Sequence, residues 1–203
     1  MKKKKITRAQ KAAKRVAAYR VPLNEKEASR LYWELSRLGA FCTGKKYPWC
    51  FSGLSLERLL CLALGQSRYD PRLLAILVDL FRHEISLLDP ILFKQELRQV
   101  NLLPILVVVC EWALAYGVVA LVKEQFDYWR AGVTPVPTQL FYIGLYSVGG
   151  HKMAEAVNHS PWPFKKWGFL AVDPPWLKER FLAKRVYLYD SPGRIEILRT
   201  LTQ

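Results

Sequence analysis

One stretch of this chain limits its fold more than any other. Residues 102–122 read LLPILVVVCEWALAYGVVALV, an apolar run about as long as the ~20 residues that cross a bilayer. Three residues argue against a span. Glu111 lies near its middle, where a lone carboxylate is costly in lipid. Pro104 sits near its start, and Gly117 interrupts its second half. The pattern therefore predicts a helix buried in a protein core, followed by a second helix after Gly117. A single membrane span is the less favoured alternative.

A core helix of this kind needs other helices around it, and the flanking sequence supplies their start signals. Asn24 with Glu27 forms a capping box, and Ala28, Leu31, Tyr32, Leu35 and Leu38 recur at helical spacing until Gly39 stops the helix. Ser55 opens a helix running through Leu59, Leu60 and Leu62 to Gly65. Asp70-Pro71 and Asp89-Pro90 each place an N-cap before proline at the first helical position. Pro104 restarts a helix to about Tyr116, and a last one runs from Val118 to Arg130. The spacing is too irregular for a true repeat. ERLLCLALG, QSRYDP and RLLAILVDLF have the outline of a helix-turn-helix, but the second helix is so apolar that it reads as core and not as a reader of base edges.

TPVPTQ, residues 134–139, marks a connector. Beyond it LFYIGLYS reads as a strand or a buried helix, SVGGHK as a turn or helix start, KMAEAVNH as a two-turn helix and SPWPFKKWGFLAVDPPW as mostly irregular. WLKERFLAK reads as a helix, RVYLY as a short strand, and Ser191-Pro192 as the cap of a final helix through Ile195, Ile197, Leu198 and Leu201. The fold class expected is mainly α: a multi-helix bundle or short helical array with a small C-terminal α+β module and a basic N-terminal helical arm. The expected divisions are 1–22 for the arm, 23–133 for the helical domain and 134–203 for the Pro- and aromatic-rich module.

The arm carries most of the charge. Lys2, Lys3, Lys4, Lys5, Arg8, Lys11, Lys14, Arg15 and Arg20 give it +9 with no acid, leaving +5 of the +14 total for everything else. Thr7 to Gln10 makes a capping box, and the residues to Tyr19 favour helix. Ala12, Val16 and Tyr19 form only a thin apolar stripe, so such a helix is marginal alone. A single-sign block of this kind fits a polyanion, either DNA or RNA bound through its phosphate backbone. Lys45 and Lys46 beside Tyr47 and Trp49 form a second candidate patch. Trp162, Lys165, Lys166 and Trp167 form a third, which Arg185 extends; cations on phosphates and rings under bases are how single strands are held.

Nothing in the chain spells out catalysis, and no P-loop, nucleophile elbow or H-E-x-x-H occurs. Glu111 is the best carboxylate for a perturbed pKa, with a buried ion pair to Arg or Lys of another helix as the favoured explanation. His151, Glu155 and His159 are each four apart on one helix face. The outer two are ~12 Å apart along the axis, too far to share an ion, so a solvated face is expected. Gly149 and Gly150 before a helix start are weak as a phosphate cradle. Cys42, Cys50, Cys61 and Cys110 form no C-x-x-C pair, Cys42 and Cys50 have no histidine at ligand spacing, and the set fits a reducing, cytoplasmic compartment.

The expected function is that of a non-enzymatic nucleic-acid-associated protein that docks a protein partner through its helical body: a regulator, an antitoxin-like partner, or a subunit of a ribonucleoprotein or defence complex. No cofactor, metal or catalytic residue is assigned. The alternative is a pure protein-interaction subunit. A nucleic-acid-processing enzyme and a membrane protein rank below both.

Overall fold

The structure, a computed structural model, describes residues 19–48, 51, 54–83, 88–146 and 150–177, and the backbone of 185–191 and 194–199. The arm helix expected before Tyr19, the Trp49–Cys50 pair and the segment 178–184 lie outside these residues.

Helix α1 spans Glu25–Arg37. Its capping box is complete: Glu27 N donates to Asn24 Oδ1 at 3.0 Å and Asn24 N to Glu27 Oε2 at 3.3 Å. Leu31 and Leu35 are buried, and Gly39, at φ 88°, turns the chain away. Helix α2, Leu56–Gln66, starts at Ser55 and is buried without a break from Leu59 to Gln66. Helices α3, Pro71–Arg82, and α4, Pro90–Val100, start at the two Asp-Pro signals. Asp70 accepts from Arg72 N at 3.0 Å, and Asp89 from Ile91 N and Leu92 N at 2.9 Å each. The buried face of α3 (Leu73, Leu74, Leu77, Val78, Leu80 and Phe81) is core, as the sequence predicts.

Helix α5, Leu103–Ala115, is the apolar run itself. Every residue from Ile105 to Ala113 is buried, and α2, α3, α4, the following helix Ala120–Arg130 and the short helix Trp162–Lys165 pack around it. Gly117, at φ 85°, separates it from α6, Ala120–Arg130. On α6, Val122, Phe126 and Trp129 face inward, and the rings of Phe81, Phe93, Phe126 and Trp129 interlock at 5.4–6.4 Å. Lys94 is buried beside them. Its ammonium caps the end of α6, donating to Tyr128 O at 2.5 Å and Ala131 O at 3.0 Å.

The C-terminal part is a small α+β unit. Strand β1, Gln139–Leu140, runs parallel to β2, Phe169–Leu170, across α7, His151–His159, and α8, Trp162–Lys165. The Phe141 ring lies tilted against Phe164 at 4.9 Å and edge-on to Phe169 at 5.3 Å, and Phe164 meets Trp112 of α5 at 5.5 Å, so the core runs unbroken from helices to strands. Arg68 ties the two together. It donates to Phe141 O at 3.0 Å and Leu140 O at 2.8 Å, while Ile143 N donates to Arg68 O at 2.7 Å. Gly168, at φ 82°, is required here, because a Cβ would lie 2.0 Å from Val136 O.

Two expectations are corrected. LFYIGLYS is neither a whole strand nor a helix: pairing ends at Leu140, and the chain then bends past Gly144 at φ 76°. The final helix is a strand. β4, Arg194–Arg199, pairs antiparallel with β3, Arg185–Ser191, setting Ile195 opposite Tyr189 and Ile197 opposite Tyr187. R-I-E-I-L-R alternates with β-branched residues, and a short apolar run of this kind fits either period. β4 lies against α1.

Asp70 also accepts from Tyr32 Oη at 2.5 Å and pairs with Arg72 at 3.2 Å. Burial pushes its carboxyl upward, but the bonds from Arg72 and Tyr32 outweigh this and hold it below the ordinary carboxylate value. A carboxylate depressed in the folded state adds stability that is present above its unfolded pKa, about 3.9, and is lost as pH falls through the folded value. Asp70→Asn keeps an N-cap and removes the charge. It is expected to cost about 1 kcal/mol at neutral pH, and urea unfolding repeated in acid is expected to show that gap closing.

Candidate nucleic-acid interface

The arm joins the body at a fixed root. Tyr19 is buried against α2, where Gly65 leaves no room for a side chain: a Cβ would sit 2.5 Å from Tyr19 O. Gln66, also buried, holds both edges of the next residues. Its Nε2 donates to Val21 O at 2.9 Å and its Oε1 accepts from Leu23 N at 3.0 Å. Tyr69 Oη donates to Arg20 O. Arg20 is exposed. Lys2, Lys3, Lys4, Lys5, Arg8, Lys11, Lys14 and Arg15 lie outside the described residues.

Beside the root, a cavity of about 450 Å³ opens between α1, the start of α3 and Leu145. Its lining is mostly apolar but includes Gln66, Tyr69 and Arg72, and Tyr32 and Asp70, also on the lining, bond to each other. Burial, with the Asp70 bond next, pushes the Tyr32 hydroxyl well above its ordinary pKa; it stays a neutral donor.

Lys45 and Lys46 belong to a larger assembly than the sequence suggests. The loop 42–47 is clamped across α1. Gly44 touches the helix backbone, where a Cβ would lie 2.1 Å from Ser29 O and 2.4 Å from Trp33 N. Lys45 N donates to Ser29 Oγ at 3.0 Å and Arg30 Nη1 to Tyr47 O at 3.1 Å. The Trp33 ring collects cations: Arg30 at 4.3 Å, Arg37 at 4.9 Å and Lys46 at 5.5 Å from its centroid. Glu34 accepts from Arg30 at 2.5 Å and lies 3.6 Å from Arg37. Sequence reasoning missed Arg30, Trp33 and Arg37. The signal was the i, i+3, i+4 and i+7 spacing of 30, 33, 34 and 37 on one helix face.

The third patch divides. Trp162 is 66% exposed and Lys165 is exposed. Trp167 is 7% exposed and belongs to the core, so its ring offers no open face for a base. Lys166 turns inward to Glu111 Oε1 at 2.7 Å, with the Trp162 and Trp167 rings 5.7 and 5.5 Å away. Arg185 opens β3.

Glu111 has the ion-pair partners the sequence favours. Arg130 of α6 reaches the same oxygen at 3.1 Å. His151 and Glu155 are 3.9 Å apart with the imidazole fully in solvent, and His159 is exposed; they form a solvated face. Among the described residues, no group of three His, Cys, Asp or Glu could hold a metal ion, and no helix is long and apolar enough to cross a membrane. Comparison with family models, with curated proteins and with solved structures finds no match to this chain.

Glu111→Ala strands two cations at the edge of the core. It is expected to lower the unfolding free energy by about 3 kcal/mol, and the double variant Glu111→Leu/Lys166→Met to recover part of that loss; urea denaturation of the two variants checks both.

Proposed function

We propose that this protein is a non-enzymatic nucleic-acid-associated protein. Its arm binds the phosphate backbone of DNA or RNA, and its helical body docks a protein partner. The arm's composition together with its root carries this reading. Eight cations and no acid precede Tyr19, and where they join the body Gly65 packs on Tyr19, Tyr69 bonds Arg20, and Gln66 bonds Val21 and Leu23. Whatever the arm grips is thereby held next to a folded surface that carries cations of its own. The partner-docking half is supported by Ile91 of α4 and Leu121 and Tyr128 of α6, which stay 57, 54 and 42% exposed. Four cysteines that form no C-x-x-C pair fit a reducing, cytoplasmic setting. A regulator, an antitoxin-like partner and a subunit of a ribonucleoprotein or defence complex all fit this layout.

The test is a salt titration of binding to short duplexes. The full chain is compared with a full-length variant whose eight arm cations before Tyr19 are all glutamine. Each phosphate contact contributes about 0.9 to the slope of log affinity against log salt. The wild-type slope is expected to be steeper by several units, up to about 7 if every cation meets a phosphate. Equal slopes would sink the reading.

A second reading, catalysis on nucleic acid, has one observation in its favour. Asp173 lies just past the carboxyl end of β2, the side on which parallel βαβ units present their ligand-binding groups. Tyr146 Oη is 3.3 Å and Lys152 Nζ 3.7 Å from its carboxylate. Under this reading, Asp173→Asn abolishes processing of a nucleic-acid substrate while the thermal melt stays where it was.

A further inference from the structure

We infer that Arg37, Lys45 and Lys46, gathered around Trp33, form a second phosphodiester-binding site, carried by the body and separate from the arm. This rests on the reading that the chain binds nucleic acid.

The geometry separates positioning groups from contact groups. Arg30 is fixed at three points: two bonds to Glu34 Oε1, at 3.0 and 2.5 Å, and one to Tyr47 O at 3.1 Å. It also covers the Trp33 ring at 4.3 Å. Arg30 and Glu34 therefore act as positioning residues, bracing the loop and the indole. Arg37, Lys45 and Lys46 are exposed. Among the described residues, Glu34 is the acid within salt-bridge distance of Arg30 and Arg37, so these four cations face one negative charge there. That net of about +3 is held together by covalent spacing, by the Gly44 contact and by attraction to the indole. An incoming anion relieves the mutual repulsion. The ordering of the loop is already done before it arrives, which lowers the cost of binding.

The experiment follows fluorescence anisotropy of a labelled oligothymidylate and of a duplex, each of about twenty nucleotides per strand, across a salt series. The proteins are the full chain and the full-length arm-neutral variant, each with and without Arg37→Ala/Lys45→Ala/Lys46→Ala. The triple change is expected to lower the slope by about 2 for the single strand, at ~0.7 per contact, and closer to 3 for the duplex. In the arm-neutral background it removes the residual binding. Lys45→Arg/Lys46→Arg is expected to retain it. Lys45→Ala/Lys46→Ala alone, at two exposed side chains, covers the case in which the triple variant fails to fold; its expected drop is about 1.5.

Slopes unchanged by these substitutions, while neutralising the arm still flattens them, would overturn this inference and leave the proposed function standing. A wild-type chain that binds neither probe would overturn both. Binding to vesicles of phosphatidylcholine and phosphatidylserine that falls with the triple change, without a matching fall on nucleic acid, would reassign the cluster to a membrane surface and overturn the inference too.

Discussion

A helix buried on every side can carry a carboxylate only if the fold brings counter-charge to it. Glu111 sits in such a helix, and its two partners come from different places: Arg130 from the end of α6, and Lys166 from just past α8. The apolar faces of α2, α3 and α4 cover α5 through shape and hydrophobic burial. The side with the carboxylate is closed differently, by α6 and the C-terminal unit, each contributing a cation. One acid on the central helix thereby links three parts of the chain that are distant in sequence. The same pairing removes Arg130 and Lys166 from the charge available to an outside anion.

The body spends other charges in a similar way. Arg68 fastens β1 through the carbonyls of Leu140 and Phe141, Arg82 holds the end of α5 through Tyr116 O at 2.6 Å and Gly117 O at 2.9 Å, and Lys94 caps α6. Long side chains whose donors meet the free carbonyls at element ends do the work that turns do elsewhere. Gln66 does it without charge at the arm root. The cations left facing outward are therefore fewer than composition suggests, and those around Trp33 are grouped.

The helical part was legible because its signals are local. Asn24 with Glu27, Ser55, Asp70-Pro71 and Asp89-Pro90 each act within one turn, and each stands where a helix begins. Glu111 was legible for a different reason: a carboxylate among Val, Cys and Trp has few physical solutions, and an ion pair is one of them. The strands were less so. Whether I-E-I-L is helix or strand is decided by the facing strand β3. The surface at Trp33 was half visible. Lys45 and Lys46 stand out in the chain, but their neighbours Arg30 and Arg37 are assigned to them by the fold of a loop over Gly44, which no helical period records. Trp167 and Lys166 carried the same composition as their neighbours Trp162 and Lys165, and only packing separates the inward pair from the outward one.

The root at Tyr19 also sets a distance. A chain advances at most ~3.5 Å per residue, so a group held by Lys2 can lie no more than ~60 Å from the buried tyrosine, however the residues between are arranged. Under the proposed function the arm and the body would act within that radius as two ends of one tether, and anything caught by the first would be presented to the second at a local concentration fixed by chain length and not by its abundance in solution. Because Tyr19 is locked against Gly65, that radius is measured from a point on the folded surface, a few residues from the start of α1.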